Sequence, residues 1–192
     1  MKLNRTNLLI LFILILACAL YRAWDNRPMG FAPQIAMALF AGSVIRDKRF
    51  AFVFPVLSMF VSDLLYQVLY NQGLTTIKGF YSGQWQNYLL IASITIIGFF
   101  INKNKVGQIF IGSLAGAIYY FFVSNFMVWI GGGLDINNQP YPRSFDGLML
   151  CFTEALPFFK WSVLSTLIFN GIFFGSYYLF GKSVLKKEIQ AA

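Results

Sequence analysis

Six long apolar stretches, separated by short polar segments, dominate the hydrophobic pattern of the chain. They occupy residues 8–21, 31–45, 50–70, 88–101, 106–130 and 158–180. A helix of about 20 mostly apolar residues crosses the roughly 30 Å hydrocarbon core of a bilayer. The pattern therefore predicts an all-α fold, a polytopic membrane helical bundle of about six transmembrane helices that forms a single integral membrane domain over residues 1–192. We expect the short first, second and fourth stretches to be tilted, interrupted or packed inside the bundle.

The composition supports a membrane protein and excludes several functional classes. Of the residues, 58% are hydrophobic and 11% are charged, whereas soluble domains carry roughly 25% charged residues. The net charge is +8, but the basic residues form short clusters between apolar stretches instead of a basic stripe. The chain has no histidine, which excludes Ser-His-Asp catalysis and histidine-based metal sites. We therefore expect no nucleic-acid partner, no metal, no cofactor and no enzymatic activity.

Two cysteines, Cys18 and Cys151, are too few for a cysteine-rich metal site. Both belong near the outer surface in the topology argued below, so a disulfide between them is one interpretation. We favour the other, which is two unpaired thiols that behave as small apolar side chains.

Basic residues are unevenly distributed between the two sides of the membrane. If the six stretches cross the bilayer in alternation, ten Lys and Arg residues fall on the side of the termini and five on the other. Because basic residues concentrate in cytoplasmic segments, both termini are predicted to be cytoplasmic in a multi-pass protein of the bacterial inner membrane. The alternative for the first stretch is a cleaved signal peptide, since Lys2 and Arg5 precede it and Ala17-Cys18-Ala19 resembles a cleavage site. We favour a retained span because another apolar stretch follows almost at once.

Asp63 is the most informative polar residue because it lies inside the third apolar stretch. An ionised carboxylate in a bilayer is costly unless it faces protein or water, so such a residue is a candidate site by default. Tyr66 and Gln67 follow at helical i+3 and i+4 positions and make one face of this helix polar. Two interpretations remain open: Asp63 contacts a ligand, or it caps a neighbouring helix or pairs with a lysine and locks the bundle.

Polar and aromatic side chains also collect in the outer halves of the fifth and sixth stretches. Asn125 and Trp129 belong to the fifth, Trp161 belongs to the sixth, and Arg143 lies in the outer segment between them. Taken individually, the tryptophans suit an interfacial belt, and Asn170 suits an interhelical hydrogen bond. Their concentration on one side predicts an outward-facing ligand site. The predicted ligand-binding residues are Asp63, Tyr66, Gln67, Asn125, Trp129, Arg143 and Trp161.

Two further patterns concern packing. Small residues such as Ala38 and Gly42 in the second stretch, and those at 112–116 in the fifth, allow helix backbones to approach closely or another membrane subunit to dock.

The outer segments 71–87 and 131–157 are rich in Gly, Pro and aromatic residues. We expect these two segments to be ordered loops that cap the bundle.

Several segments resemble a bacterial membrane family of unknown function. They are Phe31-Ala32-Pro33-Gln34 and the residues up to Gly42, Arg49 with Pro55, Ser62-Asp63-Leu64, Tyr141-Pro142, Gly147-Leu148, Cys151 and Pro157-Phe158-Phe159. That family in turn looks like the substrate-binding S components of energy-coupling-factor transporters. The resemblance implies six spans, cytoplasmic termini and a ligand site near the outer face. One departure is that the alanine spacing those components use to dock their partner occurs here at Ala19 and Ala23, at the outer end of the first span.

The favoured function is a membrane-embedded substrate-binding subunit for the uptake of a small solute such as a vitamin. Its expected partners are the solute, the lipid bilayer, and membrane and ATPase subunits of an energising module. The alternative is a scaffold or assembly protein of the cell envelope that binds no small molecule. A third hypothesis is an intramembrane enzyme that uses Asp63, Asp135, Asp146 or Glu154, and it finds little support without histidine or metal ligands.

Overall fold

The computed structural model consists of helices joined by short segments. It describes the backbone of residues 5–24 and 26–190 and the side chains of residues 9–24 and 26–179. Within these residues the six helices are α1 Arg5–Ala23, α2 Gln34–Val44, α3 Lys48–Asn71, α4 Gln84–Phe99, α5 Val106–Ile130 and α6 Phe145–Gln190. No strand occurs in the same part of the chain, where one isolated antiparallel bridge joins Leu134 to Pro140. The predicted all-α fold is confirmed.

The start of α6 differs from the sequence pattern. That pattern predicts an outer loop over residues 131–157, whereas the helix begins at Phe145 and continues through Pro157. The first turn is anchored by Ser144, whose carbonyl oxygen accepts from the Leu148 amide at 3.0 Å and whose hydroxyl accepts from the Gly147 amide at 3.2 Å. The negative charge of Asp146 in this turn also interacts favourably with the positive end of the helix dipole. A proline indicates a helix boundary in sequence, but α6 continues through Pro157 without ending there.

Three helices among the described residues are long and apolar enough to cross a membrane. They cover Lys48–Asn71, Val106–Ile130 and Phe145–Leu179, and large apolar side chains such as Phe110, Ile111 and Phe122 are exposed on their outer faces. A soluble protein rarely exposes apolar surface on this scale. The architecture is therefore that of a membrane protein with at least these three candidate spans.

Helix α2 forms the centre of the bundle. It has eleven residues, of which ten are buried, and it contacts α3, α4, α5 and α6. At 1.5 Å per residue it is about 16 Å long, shorter than the hydrocarbon core. A helix that is apolar on all sides is expected in such an enclosed position. For this helix, the prediction that a short stretch packs inside the bundle is confirmed.

Two glycines bring α2 and α4 into backbone contact. A Cβ atom added at Gly98 would lie 2.5 Å from the Leu39 carbonyl oxygen and 3.0 Å from the Gly42 Cα atom. A Cβ atom added at Gly42 would collide with the Thr95 carbonyl oxygen. Neither position has room for a side chain. The prediction that Gly42 permits close helix approach is confirmed.

Successive helices run in opposite directions, so each end of the bundle collects a fixed set of helix termini. At one end α1, α3 and α5 finish and α2, α4 and α6 begin; we call it the Arg22 end, because Arg22 near the end of α1 contacts α3 there. At the opposite end the Ser43 hydroxyl donates to the Ile101 carbonyl at 2.9 Å, and the Lys103 ammonium donates to the Tyr177 hydroxyl at 2.8 Å. Because these helix ends come together, polar side chains from distant parts of the chain, such as Arg22 and Asp63, meet at the Arg22 end.

The glycine contact predicts a position-specific effect on stability. Gly98→Ala should lower the free energy of unfolding by about 1–3 kcal/mol, because the new methyl group forces α2 and α4 apart. Gly171→Ala is the matched control, since Gly171 is also helical and a Cβ atom there meets nothing within 4 Å. This control should gain up to about 1 kcal/mol from helix propensity. Thermal unfolding of the purified proteins in detergent measures both, and equal losses would contradict the close contact.

Candidate functional site

A buried ion pair ties α1 to α3 at the Arg22 end. The Arg22 guanidinium donates from Nη1 to the Asp63 carboxylate and also, at 2.5 Å, to the Ser62 hydroxyl. Asp63 is only 1% exposed. A buried charge is tolerated when an opposite charge and hydrogen bonds compensate it. The interpretation that Asp63 pairs with a basic residue and locks the bundle fits this geometry, with an arginine in place of a lysine.

The second carboxylate oxygen of Asp63 connects the pair to α4. It accepts a hydrogen bond from the Gln84 side-chain amide and another from the Tyr88 hydroxyl at 2.7 Å. Both donors lie in the first turns of α4. One carboxylate therefore holds three helices together, and both of its oxygens are occupied by protein groups.

Arg27 fastens the α1–α2 connection onto this cluster. Its Nε atom donates to the Arg22 carbonyl at 2.6 Å, its Nη2 atom to the Tyr66 hydroxyl at 3.0 Å, and its Nη1 atom to the Phe31 carbonyl at 3.3 Å. The Tyr66 hydroxyl in turn donates to the Arg22 carbonyl at 2.6 Å. Among the described residues, the only ion pair is the one between Arg22 and Asp63. The guanidinium of Arg27 thus contributes a positive charge that no described carboxylate compensates.

A cavity of about 180 Å³ lies beside the two arginines, in the middle of the bundle at this end. Every helix or its adjoining loop contributes to the wall, and the part of the wall that the structure describes contains no acidic residue. The lining residues are Arg22, Arg27, Gly30, Ala32, Gln34, Ile35, Met59, Ile91, Tyr120 and Ser162. A small concave site with an apolar wall and a few polar groups is the usual form of a ligand pocket.

Gln34 is the unusual member of this wall. It opens α2 directly after Pro33, is only 4% exposed, and neither side-chain atom, Nε2 nor Oε1, has a hydrogen-bond partner among the described residues. A buried amide without partners costs about 1–3 kcal/mol of desolvation. Buried polar groups are nearly always satisfied, and an exception requires an explanation. The cavity contains room for the missing partner.

A row of buried polar side chains extends from the cavity along α6. Ser162, Thr166 and Asn170 follow at intervals of four residues and so share one face of the helix. The Ser162 hydroxyl donates to the Gly30 carbonyl at 3.2 Å, and the Asn170 amide donates to the Ser113 hydroxyl of α5 at 2.7 Å. The interhelical hydrogen bond predicted for Asn170 is confirmed.

A second polar cluster holds the segment between α5 and α6. The Trp129 indole donates to the Pro142 carbonyl at 2.8 Å, and the Arg143 guanidinium lies 5.8 Å from the Trp129 ring centre. The Tyr141 hydroxyl donates to the Glu154 carboxylate at 2.6 Å. Burial, reinforced by this hydrogen bond, raises the pKa of Tyr141 above its ordinary value. All of these contacts join residues of the cluster to one another. The cluster therefore anchors the segment between α5 and α6 as an ordered cap.

A larger groove of about 630 Å³ on the surface between α1 and α3 is a weaker candidate. Its wall is formed by residues such as Leu20, Leu65 and Val68 and is almost entirely apolar. Such a surface suits lipid chains, because it offers no group that would orient a polar solute.

The structure separates the predicted ligand-binding residues into several places. Asp63 and Tyr66 contact the arginines of the cavity, and the Gln67 side chain instead binds Asn71 and the Phe80 amide. Trp161 packs against Phe31 with ring centres 6.4 Å apart. The remaining three, Asn125, Trp129 and Arg143, lie where α5 connects to α6. None of the seven lines the cavity.

Sequence reasoning missed Arg22, Arg27 and Gln34. The two arginines were counted only for orientation, and Gln34 was noted only as part of a resembling segment. Gln34 did carry a signal, because it is a lone amide inside an otherwise apolar stretch next to a proline.

The prediction for the two cysteines is confirmed. Cys18 and Cys151 are both buried and form no disulfide, as expected of two unpaired thiols.

The comparisons with known proteins identify a family without a known function. A model of DUF6580, a family of unknown function, matches residues 2–189. No curated protein and no solved structure matches the chain. The resemblance to a family of unknown function is therefore confirmed, and the further likeness to energy-coupling-factor S components stays a prediction.

The ion pair predicts a double-variant pattern in stability. Asp63→Leu should lower the free energy of unfolding by about 3–5 kcal/mol, because the Arg22 guanidinium is left buried without its counter-charge. The double variant Arg22→Met with Asp63→Leu should recover most of that loss, since both charges are gone. Asp146→Asn, at an exposed position, is the control, and it should lose no more than the roughly 0.3–1 kcal/mol of its interaction with the helix dipole. A double variant as unstable as the single one would show that the pair does not anchor the bundle.

Proposed function

The chain belongs to DUF6580, a family of unknown function, so its role has to be argued from its site, and we propose that it captures a small solute in the cavity at the Arg22 end. The protein would be a membrane protein with six spans. Helices α1, α2 and α4 would be the three shorter spans, beside the three longer ones. The excess of basic residues on the side of the termini supports cytoplasmic termini. With that orientation the Arg22 end faces outward, where a solute arrives.

The single observation that carries the proposal is the Gln34 side-chain amide, which lies in the cavity wall and has no hydrogen-bond partner within the described part of the chain. A site made only for stability would place an apolar side chain there, because burying an unpaired amide destabilises the fold. Stability is commonly sacrificed at positions where a ligand supplies the missing partner. The amide can both donate and accept, so it can orient a polar group of a solute.

The surrounding contacts support a preorganised site. Arg22 is fixed by Asp63 and Ser62, and Arg27 is fixed by three acceptors, so neither side chain must be ordered when a solute enters. Groups already held in position lose little conformational entropy on binding. The cluster that contains Asp63 would therefore act by positioning the arginines and would not itself contact the solute.

Uptake requires a further step that this chain does not supply by itself. Its sequence contains no phosphate-binding loop, so a separate ATPase module would power release to the cytoplasm, as in the S components that the chain resembles. The buried polar row of Ser162, Thr166 and Asn170 supports an inward route, because it continues from the cavity toward the opposite end.

The alternative function is a scaffold of the cell envelope. Gly171 and Gly175 of α6 favour it, since a Cβ atom at either position meets nothing within 4 Å and small residues on a lipid-facing helix permit helix docking. The small residues of α2, by contrast, are buried inside the bundle. Co-purification of envelope proteins that is lost in a Gly171→Leu variant would favour the scaffold over solute capture.

Solute capture predicts opposite effects of one substitution on stability and on binding. Gln34→Leu should raise the unfolding temperature of the solute-free protein by a few degrees, because about 1–3 kcal/mol of uncompensated desolvation disappears. Native mass spectrometry of the gently purified wild-type protein should detect a retained solute, and the variant should carry none. Gln86→Leu, which lies outside the cavity wall, should change neither quantity. A variant that is less stable, together with an empty wild-type protein, would identify Gln34 as a structural residue.

A further inference from the structure

We infer that the solute taken by this cavity is a short-chain monocarboxylate with an aliphatic tail. The inference rests on the proposed function and names the ligand class of the same site. It follows from the charge of the wall, from the unused hydrogen-bonding groups, and from the size and polarity of the remaining space.

The charge of the wall selects an anion. Two arginines line the cavity, and no acidic residue does so among the residues that the structure describes. Asp63 compensates Arg22, so one positive charge remains among the described side chains, and Asp25, which lies outside them, is not part of this sum. A surplus positive charge in a low-dielectric bundle is costly. A bound group with a single negative charge would balance it, whereas a cation or a doubly charged phosphate would not.

The unused donors suit a carboxylate. A guanidinium has five N–H groups, and Arg27 commits three of them to protein acceptors. The Arg22 hydrogen bonds within the described structure all leave from Nη1. Arginine pairs with planar carboxylates through two parallel hydrogen bonds. The side-chain amide of Gln34 adds an N–H donor for one carboxylate oxygen.

The volume and the apolar wall limit the rest of the molecule. A space of about 180 Å³ equals about six water molecules at their liquid volume of roughly 30 Å³ each. Drug-sized ligands and larger vitamins need cavities of about 300–1,000 Å³. The cavity wall also contains apolar side chains, which are those of Ile35, Met59 and Ile91. They can contact a hydrocarbon group, whereas the arginines bind a charged one. Propionate and butyrate match this combination of one charge and a short hydrocarbon tail.

Paired ligands that differ only in charge test the inference. The full-length protein in lipid nanodiscs is titrated with acetate, propionate and butyrate, and in parallel with acetamide, propionamide and butyramide, at constant ionic strength. Ligands that bind the folded state raise its unfolding temperature in a saturable way. Propionate and butyrate should do so, with apparent affinities at least tenfold above that of acetate or of any amide, and chloride and phosphate should produce no saturable shift.

Substitutions at one position separate the charge from the hydrogen bond. Gln34→Leu should weaken butyrate binding at least tenfold, and Gln34→Glu should abolish it, because the new carboxylate repels the ligand and occupies the arginines. Gln86→Leu should retain the wild-type affinity. A butyrate response that is unchanged in both Gln34 variants would overturn the assignment, since the ligand would then bind elsewhere.

The outcomes distinguish this inference from the broader proposal. An amide, an amine or an inorganic anion that binds as well as butyrate, and whose binding is lost in Gln34→Leu, would overturn the carboxylate class and leave solute capture standing. If no solute of any charge binds and native mass spectrometry finds none, both the carboxylate class and solute capture fail.

Discussion

One buried carboxylate determines how the Arg22 end of the bundle is built. Asp63 lies inside a helix packed among apolar neighbours, where an ionised group is tolerated only if an opposite charge and hydrogen bonds replace water. Arg22 of α1 supplies the charge, and Gln84 and Tyr88 of α4 supply hydrogen bonds. Three helices are thereby joined at one point. The α1–α2 connection follows, because Arg27 binds the Arg22 carbonyl and so closes over the same cluster.

The same constraint creates the conditions for a binding site. Two arginines converge where only one carboxylate is present among the described side chains, so the described part of the cavity wall carries one uncompensated positive charge. The central helix α2, held tightly against α4 by Gly42 and Gly98, begins in the wall of this cavity with Gln34, whose side-chain amide has no hydrogen-bond partner among the described residues. Under the proposed function, a solute supplies a partner for this amide.

Hydrophobic pattern and small residues were sufficient to predict much of the fold. The apolar stretches located all six helices, and the shortness of the second stretch correctly indicated a helix packed inside the bundle. The start of α6 was missed because capping at Ser144 is a local effect that an apolar pattern does not register. The site was only half predictable: Asp63 is conspicuous as a charge in an apolar stretch, whereas its partner depends on which helices meet. Gln34 becomes significant only once the packing is known, because no described residue forms a hydrogen bond with its side-chain amide.

Accessibility of Gln34 to a small anion from outside the cell tests the account most directly. In a background with Cys18→Ala and Cys151→Ala, a Gln34→Cys variant in intact cells is treated with a membrane-impermeant, negatively charged methanethiosulfonate reagent. We expect rapid modification at this position and slower modification by the positively charged analogue, because the described residues of the wall include two arginines and no acid. An Ile94→Cys variant, fully buried away from the cavity, should not react. A Gln34→Cys thiol that reacts only after the membrane is permeabilised, or not at all, would contradict an outward-facing solute site.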